Sequence, residues 1–144
     1  MNILKVLTSK RRTGNFGEDA AVKFLRKNGY KILERNYDDG SHEIDIIARI
    51  NDLTAFIEVK TRNVASVSKK EPRPASSVTP EKQRAIISAA KHYIATKRND
   101  GPLRFDVIEV YVEGTEGHLK VKEIKHLENT FNKNTAYDGS VWRR

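Results

Sequence analysis

Hydrophobic and polar residues alternate along this chain with two different periods, and these periods predict seven elements. Apolar residues at helical spacing predict a first helix that begins at Thr13 or Asn15 and ends near Asn28, and a second helix that begins at Thr79-Pro80 and ends near Arg98. Five segments with a period of two residues predict strands: residues 30–37, 42–50, 53–61, 103–113 and 118–125.

The predicted fold class is α/β, with a mixed α+β sheet flanked by helices. The element order is α-β-β-β-α-β-β, and the second helix forms a crossover between two strands, which makes that strand pair parallel. A length of 144 residues fits one domain, which we place at residues 1–131. Residues 63–78, rich in Ser, Lys and Pro, predict a mobile loop, and residues 132–144 predict a flexible tail.

The second and third predicted strands are separated by Asn51-Asp52, and a two-residue turn there makes Ile50 and Leu53 partners. Side chains alternate along a strand, so this register also decides which residues share a face. One face is apolar near the turn and charged at its far end. The pairs on that face are Ile47 with Phe56, Asp45 with Glu58, and Glu43 with Lys60.

The opposite face of this hairpin is apolar along its whole length and is predicted to be core. A four-residue loop keeps the register, whereas a loop of three or five residues shifts it. The core-facing residues are Ile44, Ile46, Ala48 and Ile50 on one strand, and Ala55, Ile57 and Val59 on the other.

Asp45 and Glu58 place two carboxylates opposite each other, with Cβ atoms about 5 Å apart, and like charges at that spacing destabilise a sheet. A divalent cation offsets this cost, because Mg²⁺ takes hard oxygen ligands, typically one or two carboxylates with water and substrate phosphates. Lys60 projects on the same side, where it holds a water or stabilises negative charge at a phosphate. The alternative is a solvated half-face with Glu43 and Lys60 as a surface ion pair.

Residues on the two predicted helices extend this hypothesis. Glu18 lies at the margin of the apolar stripe of the first helix, and is either a third carboxylate of the site or a first-turn glutamate favoured by the helix dipole. Lys82 and Gln83 lie in line with the inner stripe of the second helix, one turn before Ile86, so Lys82 either points into the site or extends its ammonium outward. Arg84 belongs to the outer face of the second helix. It is either one of a row of solvated cations or a residue that contacts a phosphate.

The net charge of the chain is +8, and it is unevenly distributed. Residues 60–104 contain 11 Lys and Arg against 3 Asp and Glu, so this segment accounts for the whole imbalance. Such a segment indicates either a polyanion partner such as nucleic acid or a lysine-rich surface. The absence of cysteine excludes disulfides and thiolate metal sites. No apolar run approaches the ~18 residues of a membrane span, so we expect a cytoplasmic protein without a membrane partner.

The spacing of Asp45 and the run Glu58-Val59-Lys60 on consecutive strands resembles the PD-(D/E)XK signature of restriction-endonuclease-like nucleases. More closely, the chain resembles the uncharacterised bacterial YraN family over residues 14–131. This chain carries His42 where that family usually has glycine. The residues that carry the resemblance are Gly17-Glu18, Ala20-Ala21, Asn36, Glu43-Ile44-Asp45, residues 56–62, Lys82, Ala90 and Arg104-Phe105-Asp106.

The resemblance implies a restriction-endonuclease-like fold, similar to that of Holliday-junction resolvases, and a role for each site residue. It implies Asp45, Glu58 and the Val59 carbonyl as ligands of Mg²⁺ or Mn²⁺, with Lys60 at the attacking water and Glu18 as an accessory catalytic acid. Resolvase-like relatives are commonly dimers, so a homodimer is among the expected states. Nucleic-acid contacts are expected from the basic segment, at Arg62, Lys69, Lys70, Arg73, Lys82, Gln83 and Arg84.

The leading hypothesis from the sequence is a metal-dependent nuclease, an endonuclease or exonuclease that hydrolyses phosphodiester bonds in DNA, with branched DNA as one candidate substrate. The alternative is a non-catalytic nucleic-acid-binding protein on a nuclease-like scaffold. A third class is a structural protein whose acidic face docks a basic partner. Only the first hypothesis predicts metal-dependent turnover, and the third predicts neither nucleic-acid binding nor Mg²⁺ affinity.

Overall fold

The computed structural model describes residues 3–66, 78–97, 101–115 and 117–132, with side chains described from residue 15 onward apart from Ser66. These residues form two α-helices, five strands and one short 3₁₀ segment. The helices are α1 (Ile3–Lys27) and α2 (Pro80–Lys97), and the 3₁₀ segment is Val64–Ser66. The strands are β1 (Lys31–Asp38), β2 (Glu43–Ile50), β3 (Leu53–Asn63), β4 (Leu103–Glu113) and β5 (Lys120–Phe131).

The five strands form one mixed sheet in the order β1-β2-β3-β4-β5. Neighbouring strands are antiparallel except β3 and β4, which run parallel because α2 returns the chain to the same end of the sheet. The predicted fold class and the predicted parallel pair around the second helix are confirmed. Neither of the described helices is long and apolar enough to cross a membrane.

Each face of the sheet carries one helix and one hydrophobic core. Burial of an aliphatic or aromatic side chain contributes roughly 1.5–3 kcal/mol, so packing against the sheet is what holds both helices. The core beneath α1 includes Ala21, Val22, Leu25, Ile46, Ile57, Ile108 and Val110. The core beneath α2 includes Ile44, Ile47, Phe56, Ile86, Ala90, Tyr93 and Phe131.

α1 approaches β3 closely at Gly17. A Cβ atom on Gly17 would lie 2.9 Å from Cβ and Cγ2 of Thr61 and closer still to its Oγ1. Real Cβ atoms do not approach their neighbours so closely, so glycine is what permits this contact between helix and strand. The close approach holds the next residue, Glu18, in a buried position against the sheet.

The first helix begins ten or twelve residues earlier than the sequence analysis predicts. It starts at Ile3 rather than at Thr13 or Asn15, so the predicted start is wrong. Ile3, Val6 and Leu7 have the i, i+3, i+4 spacing of a helix. The prediction relied on a capping residue and did not use this spacing.

The last strand continues past the predicted end near residue 125 and reaches Phe131. Its alternation is interrupted at Asn129, which has a φ of 52°, and pairing resumes with Phe131 opposite Phe105. The interruption breaks the period of two on which the prediction relied. Most of the predicted loop, residues 67–77, and most of the predicted tail, residues 133–144, lie outside the described residues.

The β2–β3 hairpin has the predicted register from its turn to its middle. Ile50 pairs with Leu53, and the same register continues to Ile46 opposite Ile57. Asn51 has a φ of 53°, the left-handed conformation that a tight two-residue turn requires.

Beyond Ile46 the ladder between β2 and β3 ends, and the predicted faces of β2 change. Ile44 packs in the core beneath α2, whereas Ile46 packs in the core beneath α1. The prediction that these two residues share a face is therefore wrong, because β2 loses its regular alternation at Asp45, between them. Asp45 is the central residue of the candidate site.

Candidate active site

Asp45 lies where β2 separates from β3. Its carboxylate replaces a backbone carbonyl as the acceptor of a hydrogen bond between the two strands. Continuing the register would pair Val59 with Ile44, whose carbonyl would then accept the Val59 N–H. Instead, the Val59 N–H donates to Oδ2 of Asp45 over 2.8 Å. The N–H and C=O of one strand residue point to the same side, so the Val59 carbonyl also faces the gap beside Asp45.

Glu58, on β3, lies next to Asp45 of β2 and is 7% exposed. Its Oε1 lies 3.6 Å from Nζ of Lys60. Its Oε2 is buried and has no hydrogen-bond partner among the described residues. Leaving a buried polar group unpaired costs about 1–3 kcal/mol, and more for a charged group, so this oxygen is suited to accept a hydrogen bond or to bind a cation.

Lys60 pairs with Glu58 and not with Glu43. Glu43 is exposed and lies opposite Asp38 of β1. The surface ion pair between Glu43 and Lys60, the alternative interpretation from the sequence, is not formed. The reason is the early end of the β2–β3 ladder, which leaves these two residues without the cross-strand alignment that the register predicts.

The pKa values of both carboxyl groups are raised. Burial, together with the nearby charge of Asp45, raises the pKa of Glu58 to about 7. Burial also raises the pKa of Asp45, opposed by the Val59 N–H bond and by the ammonium groups of Lys82 and Lys60. Glu58 therefore exchanges a proton near neutral pH, and a cation bound by this pair would displace that proton.

The donor set fits a hard divalent cation such as Mg²⁺ or Mn²⁺. Asp45 and Glu58 offer two carboxylates, and the Val59 carbonyl faces the same gap. Mg²⁺ usually binds through one or two carboxylates and keeps water and substrate phosphates as its other ligands. Over the described part of the chain, no group of three or more His, Cys, Asp and Glu residues could hold a metal ion, so the protein offers this small set and no closed cage.

Glu18 is buried at the contact between α1 and β1, where two donors from β1 hold it. Its Oε1 accepts hydrogen bonds from Nε of Arg35 and Nδ2 of Asn36, each over 3.1 Å. Glu18 does not form a three-carboxylate metal site with Asp45 and Glu58 within the described residues. Its role as an accessory catalytic acid stays a prediction.

The residues expected to contact nucleic acid lie in different environments. The charge of Lys82 on α2 lowers the pKa of both site carboxyl groups, so this lysine acts on them electrostatically. Gln83 is fully buried and donates from Nε2 to the Val78 carbonyl over 3.0 Å, so it does not reach the surface. Arg62 donates from Nε to the buried Glu109 over 3.3 Å. Arg84 is partly exposed on α2, and Lys69, Lys70 and Arg73 lie outside the described residues.

Asp106 forms a second buried charged group, on β4. It is fully buried and accepts hydrogen bonds from Nε of Arg104 over 2.9 Å and from the Asn129 N–H over 3.0 Å, and its Oδ2 lies 2.8 Å from Nε2 of His126. Burial alone would raise the pKa of Asp106, but its bonds to His126, Arg104 and Asn129 lower it by more. These bonds tie β4 to β5, so the run Arg104-Phe105-Asp106 has a structural role.

The sequence analysis assigned no function to two residues near the site. Asn36 stands in β1 with a φ of 51°, and a lone asparagine inside a strand was the available signal. Glu109 is 4% exposed on β4, where it holds Arg62, and a charged residue within the apolar run of residues 107–112 was its signal. His42 has no positive φ, so glycine is not required at that position by the backbone.

Comparison with known proteins finds relatives over most of the chain. Residues 17–110 match the family model of the uncharacterised protein family UPF0102. A UPF0102 protein of Chlorobium phaeobacteroides is 43% identical over 120 residues, which cover 82% of this chain and 92% of that protein. A UPF0102 protein of Acetivibrio thermocellus is 43% identical over 125 residues, covering 85% and 93%. One of Clostridium perfringens is 49% identical over 98 residues, covering 67% and 77%.

Proposed function

We propose that this chain, which belongs to the uncharacterised protein family UPF0102, is a metal-dependent nuclease that hydrolyses phosphodiester bonds in DNA. The proposal is based on the chemistry of its site. The resemblance to an uncharacterised family is confirmed at that level, and the names of the relatives assign no activity. One observation carries the proposal. Asp45 and Glu58 lie side by side, Asp45 partly buried and Glu58 almost fully buried, and Oε2 of Glu58 has no partner among the described residues.

Asp45 and Glu58, together with the Val59 carbonyl, would hold Mg²⁺ or Mn²⁺, and such an ion supplies Lewis-acid polarisation of the scissile phosphate. Lys60 reaches the same place from β3, where its ammonium donates to a water or to a phosphate oxygen and stabilises the negative charge that develops there. Lys82 adds a second positive charge from α2, which favours a phosphate backbone beside the two carboxylates.

The resemblance to PD-(D/E)XK nucleases supports the same roles. Two carboxylates and a lysine on adjacent strands are the signature of those enzymes, and Asp45, Glu58 and Lys60 stand on β2 and β3. The net charge of +8 supports DNA as a polyanionic substrate. Branched DNA stays among the candidate substrates.

The test is cleavage of labelled linear duplex, single-stranded and four-way-junction DNA in Mg²⁺, Mn²⁺ or EDTA. We expect wild-type cleavage only with metal, and a loss of at least about a hundredfold in Asp45→Asn and Lys60→Met, since each removes a group that acts on the transition state. Glu123→Gln, which changes an exposed carboxylate on β5, is the matched control and should cleave normally. Circular dichroism confirms that each variant is folded. Absence of wild-type cleavage in every metal, or full activity of Asp45→Asn, would contradict the proposal.

A second candidate function is non-catalytic nucleic-acid binding on the same scaffold. The concentration of positive charge in residues 60–104 favours it, because phosphate contacts need cations but no carboxylates. It predicts binding that weakens with salt and is unchanged in Asp45→Asn, with no turnover in any metal. The cleavage assay, combined with binding measurements at two salt concentrations, distinguishes the two functions.

A further inference from the structure

Asn36 has an unusual conformation for a strand residue. Its φ is 51°, in the left-handed region that asparagine tolerates better than other residues with a side chain. It stands at the register position of Asp45 on the neighbouring strand. The pairs on either side are Arg35 with Ile46 and Tyr37 with Ile44.

Both strands lose their regular alternation at this place. Neighbouring residues of a regular strand point to opposite faces. Arg35 and Asn36 are neighbours, yet both donate to the same oxygen of Glu18 on α1. Ile44 and Ile46 are two residues apart, yet they pack in different cores. The two irregularities lie side by side on β1 and β2.

The irregularity in β2 decides where the Asp45 carboxylate goes. In a regular β2, the Ile44 carbonyl would accept the Val59 N–H, and Asp45 would extend from one face of the sheet. In this structure Asp45 itself accepts that N–H over 2.8 Å and lies beside Glu58. The candidate site therefore depends on the displacement of β2.

We infer that Asn36 is a positioning residue of the site, and that Glu18 acts through Asn36 rather than as a ligand of the metal. The bond from Asn36 to Glu18, over 3.1 Å, holds the left-handed residue that displaces β2. Arg35 orients Glu18 from the same strand, with its Nε 3.1 Å from Oε1 of Glu18. A role of these hydrogen bonds in catalysis rests on the proposed function. Their effect on the hydrogen bond between Asp45 and the Val59 N–H does not.

Variants of Glu18 distinguish a metal ligand from a residue that holds Asn36. Glu18→Gln removes the carboxylate charge but keeps an oxygen that accepts from Asn36, whereas Glu18→Ala removes both. Mn²⁺ titrations should give an affinity within about twofold of wild type for Glu18→Gln and about tenfold weaker for Glu18→Ala, the size typical of losing a residue that orients a ligand. Asp45→Asn, which removes a ligand directly, sets the scale for full loss.

Hydrogen exchange at the Val59 amide tests the positioning role without any metal. This amide is protected by Asp45, so we expect its exchange to become about tenfold faster in Asn36→Val and in Glu18→Ala, as the open state gains population. Asn36→Gly should have a smaller effect, because glycine adopts the left-handed conformation freely. Exchange at the Val110 amide, in the buried part of β4, corrects for any change in global stability.

The matched control is Asn129→Gly, the same change at another left-handed asparagine, in β5. Glycine keeps the backbone N–H that bonds Asp106, and the Val59 exchange should be unchanged. Unchanged Val59 exchange in both Asn36→Val and Glu18→Ala would overturn the inference. A loss of Mn²⁺ affinity in Glu18→Gln as large as in Asp45→Asn would overturn it too. If the wild type binds no Mn²⁺ and cleaves no DNA, the proposed function fails, and the exchange at Val59 still decides the positioning role.

Discussion

At the scale of single residues, two buried carboxyl groups of the sheet respond differently to burial. The pKa of Glu58 rises to about 7, mainly because burial disfavours its charge. The pKa of Asp106 is lowered although burial raises it, because Arg104, His126 and the Asn129 N–H bond this carboxylate. A satisfied carboxylate such as Asp106 stabilises the fold, whereas one with an unpaired oxygen such as Glu58 is suited to bind something else.

Replacing Glu58 with Gln is expected to stabilise the metal-free protein above pH 7. The folded pKa of about 7 lies above the ordinary value of 4.5, so the stability contributed by protonated Glu58 is present at low pH and is lost as the pH rises through 7. Glutamine is neutral throughout, so the gain at pH 8 is on the order of 1–3 kcal/mol, since one pKa unit corresponds to about 1.4 kcal/mol. Urea unfolding in EDTA at pH 5, 6.5 and 8 measures it, and an equal pH dependence in wild type and variant would contradict it.

Metal affinity is expected to decrease as the pH is lowered, through protonation of the same group. Binding requires the Glu58 carboxylate, so with a pKa of about 7 the apparent Mn²⁺ affinity should be roughly tenfold higher at pH 8 than at pH 6. Calorimetric titration in two buffers of different ionisation enthalpy also measures the proton released. Binding that is independent of pH over this interval, with no proton release, would show that Glu58 is not a ligand.

At the scale of the elements, the candidate site lies where regular pairing stops on one side of β3 and continues on the other. The β2–β3 ladder ends at Ile46 and Ile57, whereas the β3–β4 ladder continues to Asn63 and Val112. β3 is therefore held firmly by β4 while its other edge is open to the Asp45 carboxylate. A rigid strand with one open edge holds Glu58 and Lys60 in fixed positions, as a preorganised site requires.

Gly17→Ala is expected to destabilise the protein by roughly 1–3 kcal/mol, the usual cost of forcing an extra carbon into a packed contact. The added Cβ would collide with Thr61, so α1 must move away from β3 and carry Glu18 with it. Urea unfolding gives the free energy. In a Thr61→Gly background, which removes the colliding atoms, the same substitution should cost less, and equal costs in the two backgrounds would show that the contact with Thr61 is not the cause.

Asp106→Asn is expected to cost about 3–5 kcal/mol, the range for breaking a buried charged pair, because Arg104 then keeps its charge without a buried partner. Glu128→Gln is the matched control. It changes an exposed carboxylate 3.6 Å from the same guanidinium and should cost less than about 1 kcal/mol. Urea unfolding at pH 7 compares the two. A small loss in Asp106→Asn would mean that this group does not tie β4 to β5.

At the scale of the whole molecule, positive charge is concentrated in one part of the chain. Residues 60–104 have a net charge of +8, from 11 Lys and Arg against 3 Asp and Glu, and they begin at Lys60 in the site. Phosphate contacts release counterions, so binding to DNA should weaken as salt rises, with a slope that counts the contacts. Under the proposed function, this long-range attraction would add to the local chemistry of Asp45 and Glu58.

Neutralising Lys69, Lys70 and Arg73 together to Gln is expected to lower the slope of log affinity against log salt by about 2–3, close to one per phosphate contact removed. The control replaces three cations outside this segment with Gln: Lys23, Lys27 and Lys31, all exposed. Fluorescence anisotropy on duplex DNA between 50 and 200 mM salt, roughly the range in which such slopes are steep, measures both variants. Equal slopes for the two triple variants would mean that net charge alone drives binding.

The sequence by itself determined the order and type of the elements. Periods of two and 3.6 residues follow from local backbone geometry, so strands and helices could be recognised without their partners. The Asn51-Asp52 turn determined the hairpin register, because a two-residue turn leaves one pairing of Ile50 with Leu53. Extending that register predicted Asp45 beside Glu58, although the ladder itself ends at Ile46 and Ile57.

Only the tertiary structure decided how that pair is held. Ile44 departs from its predicted face beside a left-handed residue in another strand, Asn36, and no period within β2 encodes that departure. The engagement of Glu18 by Arg35 and Asn36 likewise depends on how α1 packs on the sheet. Contacts between elements far apart in the chain follow from shape and close approach rather than from spacing. For that reason the sequence could indicate the chemistry of the site, and the packing of β1 and α1 beside it was needed to explain its geometry.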